Sequence, residues 1–199
     1  MDAIVEATIQ VLATDGPQRL TTTRVAKRAG VSVGTMYQYF PHKEALVYAV
    51  NERRLDSLAG AVETACEAQH GATIEQMVGT LVTTYWQAKS DRPEVMRSLC
   101  RSVAELVNEP LIAGFCRRVD RAVEAMFASA AGDGSIDLPA VNLALLATNF
   151  GAVRTFYERT LSASQIDAMH GQFTSMWVAY LREMKVSPTA PADEGPVVR

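Results

Sequence analysis

Apolar residues recur along this chain at steps of three and four. Alternating β-branched runs hardly occur, and Ala, Leu, Met, Glu and Arg dominate, so the pattern predicts an all-α fold. Ile4, Ala7, Ile9, Val11 and Leu12 give a first helix its buried side, and Asp15-Gly16-Pro17 ends it. A short second helix starts at Thr22, read as its N-cap because the hydroxyl can accept from a backbone N–H one turn on, and carries Val25, Ala26 and Ala29 inward. Gly30 closes it, where a left-handed residue costs glycine least. Val31 plugs the space between helices and Ser32 caps a third, in which Met36 and Phe40 face inward. Thr35, Tyr37, Gln38 and Tyr39 are left on or near its outer face, until Pro41, with no N–H to donate, stops it.

Downstream, Lys43 to about Cys66 reads as one long helix, broken by His70-Gly71-Ala72. Thr73 caps a helix striped by Ile74, Met77, Leu81, Tyr85 and Lys89. Ser90-Asp91-Arg92-Pro93 is a turn, and the next helix takes Val95, Leu99, Val103, Leu106 and Val107. After a break at Asn108-Glu109-Pro110, Leu111 to Ala130 is helical, with Phe115, Val119, Val123, Met126 and Phe127 on one side. Ala131 to Ser135 is a loop. Leu138 to about Thr160 and Ser164 to about Lys185 are the last two helices, and residues 187–199 form a disordered tail.

From Leu138 to Val153 the chain is apolar nearly all the way round, which predicts burial on more than one side. Gly151 and Ala152 permit close helix approach, and Phe173, Met176, Trp177 and Tyr180 give the following helix a large apolar face. Two such helices from each of two protomers would make a four-helix interface. The alternative is a monomer whose final hairpin is covered by its own chain.

Charge sharpens the picture. The formal net charge is −3, which by itself does not suggest a nucleic-acid partner. Its distribution does. Through Gly60 there are seven basic and six acidic residues, none of the acids between 21 and 40; from Ala61 onward there are twelve basic and sixteen acidic. Arg19, Arg24, Lys27, Arg28 and Lys43 cluster around two short helices joined by a glycine turn, the arrangement a helix-turn-helix needs against a duplex. A neutral-to-basic head on an acidic body orients such a protein on DNA.

Cys66, Cys100 and Cys116 have spacings that fit neither a disulfide framework nor a zinc site, and they read as reduced thiols used in packing rather than redox sensing. The first residues lack a basic n-region and no apolar run spans a bilayer, so the expected location is the cytoplasm. His42, His70 and His170 are scattered, and no phosphate loop, nucleophile elbow or HExxH occurs, so no enzyme, catalytic residue, metal or cofactor is expected.

Ala26, Ala29, Gly30, Val31, Ser32, Gly34, Thr35, Tyr37, Tyr39, Phe40, Lys43, Glu44 and Leu46 form the gap-free pattern AxxAGVSxGTxYxYFxxKExL. It resembles the DNA-binding domain of the TetR family of bacterial repressors. The resemblance implies a helix-turn-helix head over 1–48 (motif about 21–40), a helical ligand-binding and dimerisation domain over 49–186, and a homodimer on a pseudo-palindromic operator. It places Thr22, Thr23 and Arg24 against phosphates and Val33, Gly34 and Thr35 at base edges. Tyr37 and Tyr39 donate to phosphates, and Lys43 meets a phosphate from the next helix. Gln38 is the choice for direct readout, since an amide can pair bidentately with adenine. For Tyr37 and Tyr39 the competing reading is packing within the head; for Arg19, Lys27 and Arg28 it is a solvated basic face that raises affinity without selecting sequence. One departure stands out. Where many members carry a basic arm, this chain begins MDAIVEAT, already inside a helix; either the arm is absent or the numbered start lies downstream of the true one.

The resemblance also implies a small-molecule effector, apolar or amphipathic, whose binding separates the heads. Bulky candidates to line its site are Trp86, Met96, Phe115, Phe127 and Trp177, each of which could equally be plain core. Arg101, Asn149 and Arg154 are polar markers on apolar helices. A buried Arg101 or Arg154 would favour an anionic effector; pairing with Glu105 or Glu158, or simple exposure, is the alternative. A rival reading keeps the DNA head but gives the body a protein partner instead of a metabolite.

Overall fold

The computed structural model describes residues 1–90, 109–130, 138–159 and 161–184, and is all-helical over them. The elements are α1 (Asp2–Asp15), a 3-10 turn (Pro17–Arg19), α2 (Thr22–Ala29), α3 (Val33–Tyr39), α4 (Lys43–Ala68), α5 (Ile74–Ser90), α6 (Glu109–Ala128), α7 (Leu138–Glu158) and α8 (Ala163–Met184). The predicted turn at 91–93, the helix through Val95 and Val107, the loop at 131–135 and the tail at 187–199 lie outside the described residues. No described helix is long and apolar enough to cross a membrane.

Two apolar cores organise the chain, and α4 belongs to both. Its first half sends Leu46, Val47 and Val50 into the head core, among Ile4, Val11, Leu12, Val25, Met36 and Phe40. Its second half sends Ala59, Val62 and Cys66 into the body core. The helix therefore runs unbroken through the expected division at residue 48. Of the apolar set expected on α1, only Ile9 is less than fully buried.

In the body, α4 packs on α5 and α6, α5 on α8, and α6 on α7. Phe115, Val119, Val123, Met126 and Phe127 face this core from α6 as their spacing predicts. Polar ties fix the helices relative to each other. Arg118 on α6 grips Glu63 on α4 through both carboxylate oxygens (2.8 and 2.7 Å) and also holds Asp56 one register up. Thr73 caps α5, accepting from Gln76 N–H while Gln76 reaches back to the Thr73 N–H, a reciprocal box. Gly71 stands at φ 75° in the preceding turn and donates its N–H to Ser129 Oγ beyond the end of α6.

Cys66 is buried, and burial, followed by Glu63 and Glu67, pushes its thiol up to about 11. Cys116, half-buried, is shifted upward too, by burial and then Asp120. Both are free thiols. Cys100 lies outside the described residues.

Candidate nucleic-acid interface

The α2–turn–α3 unit is fixed by three short-range devices. The first corrects the sequence reading: Thr21, not Thr22, caps α2, its hydroxyl accepting from Arg24 N–H at 3.2 Å. Two adjacent threonines offer the same chemistry, and the choice falls to the one that sits in extended backbone outside the helix. Thr22, one residue in, is buried and donates its hydroxyl to Tyr37 Oη at 3.3 Å. The second device is Gly30, left-handed at φ 69°, after which Val31 N–H returns to Ala26 carbonyl at 3.1 Å, closing the helix. The third is Ser32, which caps α3 by accepting from Thr35 N–H at 3.0 Å, its hydroxyl also bonded to that of Thr35.

Met36 and Phe40 anchor α3 in the head core, so its opposite face is turned out. Tyr37 is 50% exposed and Tyr39 57%, which removes the packing explanation for both rings. Val33, Gly34, Thr35 and Gln38 are exposed on the same helix, and Thr23, Lys27, Arg28 and Lys43 are exposed on α2 and at the start of α4. Arg24 is exposed but engaged, its guanidinium paired with Asp15 at 2.9 Å. His42 caps α4 by accepting from Ala45 N–H through Nδ1, a role the sequence reading missed. Gly34 has no internal reason to be glycine. A Cβ there would meet only Ser32 Oγ, at an ordinary 3.8 Å, and its φ is not positive.

In the body, Phe115, Phe127 and Trp177 are buried in the core. Trp86 is half-buried, its ring edge-on to His170 at 5.4 Å, and His170 Nε2 lies 3.2 Å from Thr83 Oγ1. Met96 and Arg101, and the side chains of Asn149 and Arg154, lie outside the described residues. Sequence reasoning missed the contact of Asn142 with Asp120, whose Oδ1 accepts from Asn142 Nδ2 at 2.6 Å. Asn142 interrupts an apolar run, and the rule that selects Asn149 applies to it equally.

This arrangement is a helix-turn-helix head on a helical body. Residues 4–50 match the profile of the bacterial regulatory proteins of the tetR family. The chain is similar to the HTH-type transcriptional repressor KstR of Mycolicibacterium smegmatis, 29% identical over 131 residues, covering 66% of this chain and 62% of that one. It is also similar to the nucleoid occlusion factor SlmA of Actinobacillus pleuropneumoniae, 35% identical over 85 residues, covering 43% and 41%. The chain thus spans between about two fifths and just over three fifths of the length of these relatives. In fold it is similar to the fatty acid degradation regulator FadR of Bacillus halodurans, with a TM-score of 0.70 at 18% identity over 91% of this chain and 95% of that one.

Proposed function

We propose that this chain is a transcriptional regulator, most simply a repressor, that binds a pseudo-palindromic operator as a homodimer and is released by a small apolar or amphipathic effector. The observation that carries the reading is the outer face of α3: two half-exposed tyrosines, an exposed amide and a bare glycine, mounted on a buried anchor, with exposed cations on α2 and at the start of α4. A rigid helix with that face can enter a major groove, while the flanking cations meet phosphates. Thr22 sits behind Tyr37 and orients its hydroxyl, and Arg24 exchanges Asp15 for a phosphate when a duplex arrives. In this reading residues 1–48 read DNA, and 49–186 dimerise and bind the effector. Effector binding favours a conformer whose heads no longer match the operator, acting by its differential affinity for the two states. Nothing in this mechanism calls for catalysis, a metal or a cofactor, and its place of action is the cytoplasm.

Fluorescence anisotropy with duplexes from the promoter region upstream of the gene tests the reading. Affinity should fall steeply with salt and be tightest for a sequence with two half-sites about 34–36 Å apart or a multiple of that spacing. Failure to retain any duplex at low salt ends it. The likeness to nucleoid occlusion factors favours a second reading, in which the same head serves a body that binds a protein. That alignment spans only 85 residues and so speaks chiefly for the head. A protein recovered with the operator-bound chain, with no small molecule altering DNA affinity, would favour it.

A further inference from the structure

Arg24 Nη1 donates to Asp15 Oδ2 at 2.9 Å, and each of the two residues sits at a helix end that its own charge disfavours. Asp15 is the last residue of α1, where the backbone carbonyls favour a cation, and that turn holds no base. Arg24 lies in the first turn of α2, where the free N–H groups favour an anion, and that turn holds no acid. Neither charge stabilises its own helix; each supplies what the other helix end lacks. The pair is not needed to hold α1 on α2. Ile4, Val11 and Leu12 of α1 already share the head core with Val25 and Ala26 of α2. An ion pair whose side chains are 45% and 26% exposed adds little to that packing.

We propose that Asp15, on α1 and outside the helix-turn-helix, is a positioning residue for DNA binding that acts through Arg24: its carboxylate holds the guanidinium where a DNA phosphate would, and so keeps affinity for any duplex below what the head would otherwise reach. The inference rests on the reading of α2 and α3 as the DNA-binding unit and gives that unit an internal competitor. Carboxylate and phosphate offer a guanidinium the same partner, an anionic oxygen that accepts its N–H groups. Association therefore exchanges one charge-assisted hydrogen bond for another, and Arg24 contributes only the difference. The exchange also strands Asp15 without its cation, at the carbonyl end of α1 and facing the negative field of the duplex. A phosphate contact reads no base, so the handicap falls equally on every sequence. Salt screens an exposed pair, so the handicap fades as ionic strength rises.

The test follows the full chain by fluorescence anisotropy across a range of salt, with a duplex from the promoter region upstream of the gene and a scrambled duplex of equal length. Asp15→Asn should bind both duplexes about two- to fivefold more tightly at low salt, with Tm little changed, and the gain should shrink as salt rises. Asp15→Glu keeps the charge and should bind as its parent does. Arg24→Gln should weaken both duplexes, and adding Asp15→Asn to it should give a much smaller gain than in the parent, because the competition needs both partners. A residue that merely stapled α1 to α2 would move Tm and would not raise affinity. Asp15→Ser repeats the comparison and must agree with Asp15→Asn, so that a folding defect of one side chain does not decide the matter. The proposal is overturned by unchanged or weaker binding in both neutral variants, by a gain of full size in the Arg24→Gln background, or by a gain on one duplex alone. A parent chain that holds neither duplex ends the DNA reading itself; a parent that holds both while its neutral variants gain nothing ends this inference alone.

Discussion

Gly34 is the residue where stability and function pull apart most cleanly. A glycine inside a helix sacrifices roughly 0.5–1 kcal/mol relative to alanine. Nothing inside the protein collects on that loss, since a Cβ would stand in open or ordinary contact. Gly34→Ala should therefore raise head stability by roughly that amount and still weaken operator binding, because the added methyl meets the groove. Chemical denaturation and anisotropy on one sample check both signs; a stabilised variant with unchanged affinity would show that no duplex approaches this turn. Gln38→Ala makes a complementary prediction. It should relax preference at one base position at a cost on the order of 1–3 kcal/mol, read by selection from randomised operators. Gly30, at φ 69°, is a different kind of glycine. Gly30→Val forces a β-branched residue into left-handed backbone and should unfold the head.

At the scale of elements, the Arg118 grip on Glu63 and Asp56 holds α6 to α4, the helix that continues into the head. The Glu63 carboxyl is held below its ordinary range, first by the hydrogen bond from Arg118 and further by the charges of Arg118 and Arg121, against the opposing pull of desolvation. A depressed carboxylate contributes stability that is fully present above its unfolded value of about 4.3 and is lost as pH falls through the lower folded value. Both partners are about a third exposed, so solvent screening keeps the contribution near 1 kcal/mol or less. Glu63→Gln should lower Tm by a constant amount from neutrality down to about that unfolded pKa, and the two Tm curves should converge in stronger acid. Curves that stay parallel in acid would show that the ion pair is energetically silent.

Element by element, the helices were legible because their apolar spacing is strict. Phe115, Val119, Val123, Met126 and Phe127 could share a side only on a helix, and α6 delivers all five to the core. The glycine turn and the Ser32 cap were equally plain, since each rests on chemistry within four residues. What escaped was whatever depends on a neighbour distant in sequence. No local signal says that Thr22 will face Tyr37, that Arg24 will find Asp15, or that Arg118 will reach back to Glu63. Asn142 looks like a flaw in an apolar helix until Asp120 is placed beside it.

At the scale of the whole molecule, α7 and α8 leave an apolar surface exposed. Along α7, Leu143 is 69% exposed, and Ala147 and Gly151 follow it at steps of four, all facing solvent. Along α8, Met176 is 49% exposed, with Ala179 and Tyr180 beside it. Yet both helices bury an opposite face, through Val141, Leu145 and Leu146 on one and Trp177 and Leu181 on the other. Apolar stripes on two helices that are already anchored are what a second copy would cover, with Ala147 and Gly151 letting backbones approach closely. Two heads joined this way bind as one ligand, so the second contact costs no further search, and linkage of this kind multiplies affinity by about 10²–10⁴. Leu143→Glu places a charge in the middle of the stripe. It should yield a folded monomer by analytical ultracentrifugation, with Tm little changed because the residue contributes nothing to either core. Operator affinity should fall by about two orders of magnitude or more, down to the level of a single half-site, while affinity for an isolated half-site stays the same. A variant that remains dimeric and holds the operator as tightly as its parent would place the partner surface elsewhere on the body.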